Sequence, residues 1–166
     1  TFYHSVNTSI LAMSLGRHLE FDRTTLHQVG VGGLLHDIGK VILAVNMPEQ
    51  YAESIELKQH QGLSTMEAEA QVFGTTHTRV GAYLLGLWGL PNNVVEAVAY
   101  HHDPLNLPGQ TFSALTAVYA ADKILQPLLE IASRPQANKG EDAYLANLGL
   151  LDKLPQWQTE CTSCVA

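Results

Sequence analysis

Residues 34–40 read LLHDIGK, and the rest of the chain is interpreted around this stretch. It places His36 beside Asp37 between apolar residues, at the point where a helical pattern of apolar residues stops. Burying a polar group without a partner costs about 2–7 kcal/mol, and an ionised carboxylate costs more. A metal ion bound by both side chains would offset that cost. The stretch therefore predicts a metal site if other parts of the chain supply the remaining ligands.

The composition is that of one folded domain. The chain has 166 residues, of which 46% are hydrophobic and 15% charged, enough for a substantial core and too apolar for a disordered chain. The net charge is −7 and the basic residues are scattered, which disfavours nucleic acid or an anionic membrane surface as a partner. No apolar run reaches the roughly 20 residues that span a bilayer. We expect a cytoplasmic protein with no membrane partner.

Two cysteines, Cys161 and Cys164, form a Cys-x-x-Cys pair near the C-terminal end of the sequence. Such a pair can be a redox centre or half of a zinc site, but the sequence has no second half. We interpret it as an inert pair in a reducing compartment.

Helical periodicity predicts an all-α, non-bundle fold. Asp22 and the Ser64–Glu67 capping box indicate helix starts, and Gly39 and Pro127 are expected to end helices. The predicted helices cover residues 2–19, 22–37, 49–61, 64–74, 76–88, 91–102, 112–126, 128–133 and 141–148, and a tail follows around Trp157. Either Thr75 or Thr76 is expected to cap the helix that runs to Trp88.

Three glycines inside the second predicted helix, Gly30, Gly32 and Gly33, lower its helix propensity by about 1 kcal/mol each. The usual compensation is close packing of a neighbouring helix. We therefore expect this helix to lie at the centre of the domain.

Five predicted helices direct metal-competent side chains toward their apolar faces, by the i, i+3, i+4, i+7 rule. The candidate ligands are His4, His36, Asp37, His77, His101, His102 and Asp122. Any one of them alone is more commonly a hydrogen-bonded core residue. The seven together favour a shared metal centre, because each would otherwise need its own partner inside an apolar core. The other histidines, His18, His27 and His60, are interpreted as surface residues or as neighbours of the ligands.

The mixed nitrogen and oxygen donors are typical of Fe, Mn, Zn, Ni or Co, and not of a calcium site. Seven ligands exceed what one tetrahedral ion needs, so we expect two divalent ions bridged by a carboxylate. Such a pair generates hydroxide at neutral pH and holds a phosphoryl group for attack. Lys40 is a candidate to balance a phosphate oxygen. The alternative is a surface lysine that covers a helix C-terminus.

The order of these residues resembles the HD superfamily of metal-dependent phosphohydrolases, through His4, LLHDIGK and Asp122 in YAADK. His77 and His101-His102 are similar to the second-metal ligands of the HD-GYP branch. The stretches FGTTHTRVGAYLLGLWGLP and AYHHDP resemble HDOD domains, a branch of bacterial signalling output modules. The resemblance covers about residues 3–123.

The resemblance implies a role for each candidate ligand. One metal would be held by His4, His36, Asp37 and Asp122, and the other by Asp37 as the bridge with His77, His101 and His102. Asp37 and Lys40 are the catalytic candidates, since Lys40 matches the lysine that supports the bound phosphate in HD-GYP enzymes. Glu69 matches a recurrent HDOD acid. After His102 the chain reads DPLNLPGQ, so the GYP signature tied to cyclic-di-GMP hydrolysis is absent.

The resemblance also implies an organisation and a function. Residues 1–126 would form the HD/HDOD core and residues 127–166 a helical extension. The N-terminal half of the HDOD domain and an upstream receiver domain would lie outside this chain. We expect an output module of a two-component system whose metal site binds a small phosphate-containing ligand. The alternative is an active phosphohydrolase or phosphodiesterase acting on a nucleotide or cyclic nucleotide. Assembly as a homodimer stays open.

Overall fold

The computed structural model describes residues 2–109, 111–129 and 139–165. These residues form α-helices and two short 3₁₀ turns and contain no strand, which confirms the predicted all-α fold. The helices are α1 (Phe2–His18), α2 (Arg23–Leu35), α3 (Ile38–Asn46), α4 (Pro48–Gln61), α5 (Thr65–Phe73), α6 (His77–Leu87), α7 (Asn92–Tyr100), α8 (Ala114–Leu129), α9 (Lys139–Asn147) and α10 (Leu154–Val165).

Side-chain caps fix the starts of three helices, as the sequence predicts. The Asp22 carboxylate accepts a hydrogen bond from the Thr25 backbone N–H at 2.7 Å and starts α2. Ser64 and Glu67 form a reciprocal capping box at the start of α5, and Thr76 caps α6. These caps satisfy N–H groups that have no partner inside the helix.

The expectation that Gly39 ends a helix is wrong. The helix before it ends at Leu35, α3 begins at Ile38, and Gly39 lies in the first turn of α3. A Cβ atom at position 39 would lie 1.9 Å from the carbonyl oxygen of His77. The missing side chain therefore lets α3 contact the start of α6, which brings Asp37 close to His77.

The predicted close packing of α2 is confirmed at Gly33. A Cβ atom there would lie 2.7 Å from the Cα atom of Ser9 in α1. Gly32 lies against Ala97 of α7 and Val118 of α8 in the same way, at ordinary contact distances. Helix α2 is therefore enclosed by three other helices.

Helix α8 lies at the centre of the main hydrophobic core. It packs against α1, α2, α7 and α10, and its small residues permit close contact with all of them. The buried alanines of α8 are Ala114, Ala117, Ala120 and Ala121. Because most of the buried side chains of α8 are apolar, Asp122 on the same helix is an exception that needs a partner.

The C-terminal region differs from two predictions. Helix α8 continues through Pro127 to Leu129, because a proline in the last turn removes only one helical hydrogen bond. The segment around Trp157 is a helix, and this side chain is 1% exposed in the same core as Leu15. Most of the predicted helix at 128–133 and the cysteine side chains lie outside the described residues. The division at residue 126 stays a prediction.

Residues Arg23–Asn46 are apolar and long enough, at 24 residues, to meet the length and composition of a membrane span. The sequence expectation that no stretch reaches this length therefore does not hold. In the structure this stretch is α2 and α3, interrupted at the buried pair His36 and Asp37. The two helices pack against α1, α6, α7 and α8, so their apolar character has a structural explanation inside the domain.

Helices α4 and α5 form a helical hairpin beside this core. They pack against each other, and α4 also packs against α3. Pro48 starts α4, and Gly62, at φ 68°, ends it before the turn into α5. The hairpin therefore lies next to the segment that carries Asp37 and Lys40.

Candidate metal centre

The structure brings all seven predicted ligands into one cluster. They come from the first turn of α1, the junction of α2 and α3, the first residue of α6, the end of α7 and the middle of α8. His36, Asp37, His77, His101 and Asp122 are each at most 3% exposed. Since these positions are far apart in sequence, only the packing of the helices places them together.

The first ligand group consists of His4, His36 and Asp122. The Nε2 atom of His4 lies 2.9 Å from Oδ1 of Asp122 and 3.3 Å from Nε2 of His36. His36 Nε2 lies 3.9 Å from the same Asp122 oxygen. Three donor atoms from three helices therefore converge on one point.

The second ligand group consists of His77, His101 and His102. The Nε2 atoms of His77 and His101 lie 3.5 Å and 3.6 Å from Oδ1 of Asp37. The ring of His102 lies 4.1 Å from that of His101 and 5.1 Å from that of His77, between centroids. One ligand atom from each histidine and from Asp37 lies within 4.8 Å of the others.

Asp37 lies between the two groups. Its Oδ1 atom faces the second ligand group, whereas its Oδ2 atom lies 3.6 Å from Nε2 of His36. The Lys40 ammonium group donates to the same Oδ2 atom at 2.8 Å. A carboxylate that turns one oxygen toward each set of donors has the arrangement of a bridging ligand.

Backbone carbonyls orient two of the imidazole rings. The Nδ1 atom of His36 lies 2.8 Å from the Gly33 carbonyl oxygen, and Nδ1 of His101 lies 2.9 Å from that of Val98. A carbonyl oxygen only accepts, so Nδ1 donates and Nε2 keeps its lone pair. Both Nε2 lone pairs are therefore available to a metal ion.

Glu69 orients the third ring. One oxygen of this carboxylate accepts both the backbone N–H of His77, at 2.8 Å, and its ring Nδ1–H, at 2.6 Å. Glu69 is 1% exposed, so this contact is shielded from water. The sequence identified Glu69 only through the family resemblance and gave it no role, because its position on α5 reveals nothing about a contact with α6.

Burial favours the neutral form of three imidazoles of the cluster. It lowers the pKa of His36 to about 4, lowers that of His77, and lowers that of His102 well below its ordinary value. Burial alone would raise the pKa values of the Asp37 and Asp122 carboxyl groups. The interaction with His101 and the charge of Lys40 outweigh it for Asp37, so the pKa of Asp37 is lowered.

The hydrogen bond from His4 lowers the pKa of Asp122 in the same way, against the effect of burial. The cluster therefore combines three imidazoles that burial keeps neutral with two ionised carboxylates at neutral pH. These are the protonation states that bind a metal cation.

The donors of the second ligand group fit a metal ion in a further respect. Among the described residues, four converging buried atoms have no hydrogen-bond partner. They are Oδ1 of Asp37 and the Nε2 atoms of His77, His101 and His102. Leaving a buried polar atom unpaired costs about 1–3 kcal/mol. A divalent ion that accepts all four lone pairs would remove that cost at once.

The remaining histidines do not take part in the cluster. His18, His27 and His60 are all exposed, as the sequence predicts for surface residues. The Lys40 ammonium group contacts Asp37, so Lys40 lies at the edge of the cluster.

The helical fold and the buried cluster of histidines and aspartates are together those of an HD-type domain. The HDOD domain family matches residues 1–104, and the chain therefore belongs to that family.

Solved structures show the same fold. An HDOD domain protein of unknown function from Geobacter sulfurreducens has a TM-score of 0.70 and 22% identity, covering 96% of this chain and 60% of that protein. A provisionally named phosphohydrolase from Shewanella amazonensis has a TM-score of 0.70 and 18% identity, covering 99% and 63%. A provisionally named signal transduction protein from Marinobacter aquaeolei has a TM-score of 0.71 and 18% identity, covering 98% and 38%.

Among curated proteins, ribonuclease Y of Thermus thermophilus is 29% identical over 152 residues, and that of Deinococcus radiodurans is 29% identical over 153. Each match covers 91% of this chain. An uncharacterised protein of Treponema pallidum is 22% identical over 105 residues, or 63% of this chain. The chain spans about one fifth of the length of each of these relatives, 20% in every case.

Proposed function

We propose that this HDOD domain is a signalling output module in which two divalent transition-metal ions bind a phosphate-containing ligand. The observation that carries the proposal is the position of Asp37, whose two oxygens face two separate groups of donor atoms. One ion would account for either group, and a second ion would account for the donors on the other side of the carboxylate.

Each ion would have its own ligands. His4, His36, Asp37 and Asp122 would hold one, and Asp37, His77, His101 and His102 the other. The ions would supply positive charge for phosphate oxygens and would lower the pKa of a bound water. Lys40 adds a cation at the edge of the cluster, where its side chain is 21% exposed and within reach of a ligand.

The arrangement of helices supports a signalling role. The cluster joins α1, α6 and α8 to the α2–α3 junction and the end of α7, so a ligand at the centre would contact much of the fold at once. Binding there would favour one relative position of these helices over others. A partner that reads that position would receive the signal.

The test is a metal analysis of protein purified without chelators, followed by calorimetry with inorganic phosphate. We expect about two equivalents of Fe, Mn, Zn, Ni or Co per chain, and phosphate binding that disappears with the metal. Less than one equivalent would contradict the dinuclear centre. Full metal content without phosphate binding would contradict the ligand class.

Hydrolysis of a phosphodiester is the second candidate function. It is favoured by the complete set of ligands with Lys40 beside the bridge, and by the similarity to the ribonuclease Y proteins. The test is an assay of a chromogenic phosphodiester, single-stranded RNA and cyclic dinucleotides with added Mn or Fe. Turnover that Asp37→Asn abolishes would establish an enzyme. If fully metal-loaded protein turns over none of these substrates, the result would contradict the enzyme and favour the signalling module that only binds its ligand.

We also propose that the domain acts in a two-component system downstream of a receiver domain. Membership in the HDOD family supports this, as does the match to only 38% of the Marinobacter protein named for signal transduction. Sequencing the gene upstream of the region encoding this chain tests it. A receiver domain is the expected result, and an unrelated upstream domain would contradict the proposal.

A further inference from the structure

A pocket of about 330 Å³ lies along the α4–α5 hairpin, beside the metal centre. Its walls include an aromatic ring, an aliphatic side chain, two ammonium groups and a carboxylate, from Tyr51, Ile55, Lys40, Lys58 and Glu69. The volume is at the lower end of the range of about 300–1,000 Å³ that is typical of small-molecule sites. None of the candidate metal ligands lines the pocket, but Lys40 and Glu69, which do, contact two of those ligands.

The pocket extends from the metal centre toward the turn of the hairpin. Lys40 and Glu69 form its inner end, because they contact Asp37 and His77. Lys58 forms the outer end, where it donates to the Thr65 hydroxyl at 3.0 Å.

Helix geometry gives the length of this path. Glu69 follows Thr65 by four residues on α5, a distance of about 6 Å along the helix axis. On α4, Tyr51 lies seven residues before Lys58, about 10 Å along the axis. Because Lys58 lies at the turn beside Thr65, Tyr51 lines the pocket away from the turn, toward its inner end.

Lys58 has a charge that no described carboxylate neutralises. Its only described partner is the hydroxyl of Thr65, and the described ion pairs do not include it. Lys40, in contrast, is already paired with Asp37. The outer end of the pocket therefore has an ammonium group available to an anion, next to a hydroxyl that can also donate.

We propose that this pocket selects organic phosphates that carry two anionic groups separated by about one nucleoside. One group would lie at the metal centre and Lys40, and the second would bind Lys58 and Thr65. The ring of Tyr51 and the side chain of Ile55 would contact the nucleoside that carries both groups. The first contact rests on the function proposed above, whereas the second is independent of what the metal ions do after binding.

The experiment compares two probes on metal-loaded protein by calorimetry. Adenosine monophosphate, with its phosphate on the 5′ oxygen, supplies only the first anionic group, and adenosine 3′,5′-bisphosphate supplies both. The native protein is expected to bind the bisphosphate about tenfold more tightly, since one charge-assisted hydrogen bond contributes on that scale. The variant Lys58→Met should lose this preference and keep its affinity for the monophosphate.

Lys153→Met is the matched control, because Lys153 is exposed on the 3₁₀ turn before α10 and does not line the pocket. It should retain the preference for the bisphosphate. A preference that survives in Lys58→Met, or that falls equally in Lys153→Met, would overturn the proposal. A native protein that binds neither metal nor the monophosphate would instead count against the proposed function. The failure of the pocket proposal and the failure of the proposed function are therefore distinguishable.

Discussion

The two ligand groups are similar in composition but differ in how they are held without a metal. In the first ligand group the donors contact each other, since His4 lies 2.9 Å from Asp122 and 3.3 Å from His36. In the second, three Nε2 atoms are buried without any described hydrogen-bond partner. The first group must therefore exchange an internal hydrogen bond for a metal bond, whereas the second has no such bond to lose.

The difference extends to the surrounding residues. Glu69 and the Val98 carbonyl orient two rings of the second ligand group, and the whole group is buried or nearly so. His4 of the first group is 16% exposed and comes from the first turn of α1. A preorganised set of donors binds more tightly than one that must rearrange. We expect the second ligand group to hold its ion more tightly than the first.

The largest expected effect comes from removing the residue that both groups share. Asp37→Asn keeps the shape of the side chain but removes its negative charge, so it should reduce the metal content from about two equivalents to almost none. Elemental analysis with a circular dichroism spectrum measures this. Asp152→Asn, at an exposed acid, should keep both ions. Retention of both ions by Asp37→Asn would show that the groups act independently of a bridge.

Removing one ligand from each group should separate the two sites. Asp122→Ala should lose the ion of the first ligand group, and His102→Ala that of the second, each leaving about one equivalent of metal. Titration with a competing chelator should show tighter binding in Asp122→Ala, because the preorganised second group remains there. His60→Ala, at an exposed histidine, is the control. The reverse order of affinities would refute the comparison.

Glu69→Gln tests the orientation of His77 without removing a metal ligand. The amide keeps the size of the side chain, but it is a weaker acceptor for the Nδ1–H of His77. Loss of such a supporting carboxylate lowers metal affinity about 10–100-fold. A chelator titration should show this loss for one ion only. Equal weakening of both ions would indicate a general disturbance of the fold instead.

The metal-free protein should lose stability on mild acidification. The pKa of His36 is about 4 in the folded protein, below its ordinary value of 6.5, so the unfolded chain binds more protons between these values. Stability therefore falls as the pH drops from about 6.5 toward 4, on the order of 2 kcal/mol by pH 5 for His36 alone. Urea unfolding of chelated protein at several pH values measures this.

The lowered pKa values of His77 and His102 act in the same direction. The second ligand group contains both, so replacing them with glutamine should flatten the pH dependence, as His36→Gln should. His27→Gln, at an exposed histidine, should leave it unchanged. A free energy of unfolding that rises on acidification would contradict the burial of His36, His77 and His102 as neutral imidazoles.

Much of the fold and of the cluster could be predicted from local signals. Asp22, Ser64 and Thr76 start helices as predicted, because a cap depends on residues within one turn. The seven candidate ligands were found because each departs from an apolar helical face. Their assembly into two groups around Asp37 was implied by the family resemblance and not by the spacing itself.

The errors occurred where packing between distant segments decides the outcome. Gly39 is an ordinary helix-ending signal in isolation, but the contact with α6 requires it inside a helix. Trp157 follows a polar region and was assigned to a tail, yet the core formed by α1 and α8 buries it. The contact of Glu69 with His77 likewise depends on how α5 packs near α6, which no local pattern encodes.

The contact at Gly39 has a consequence for how variants of this domain should be interpreted. With a Cβ atom only 1.9 Å from the His77 carbonyl, even alanine at this position would force α3 away from α6. Asp37 moves with α3 and His77 with α6, so the bridge would open although every donor atom is still present. A protein without bound metal can therefore have an intact set of ligands, and an inventory of histidines and aspartates alone would misclassify it. In this domain, a hydrogen atom in place of a side chain is as necessary to the proposed two-ion centre as the imidazoles themselves.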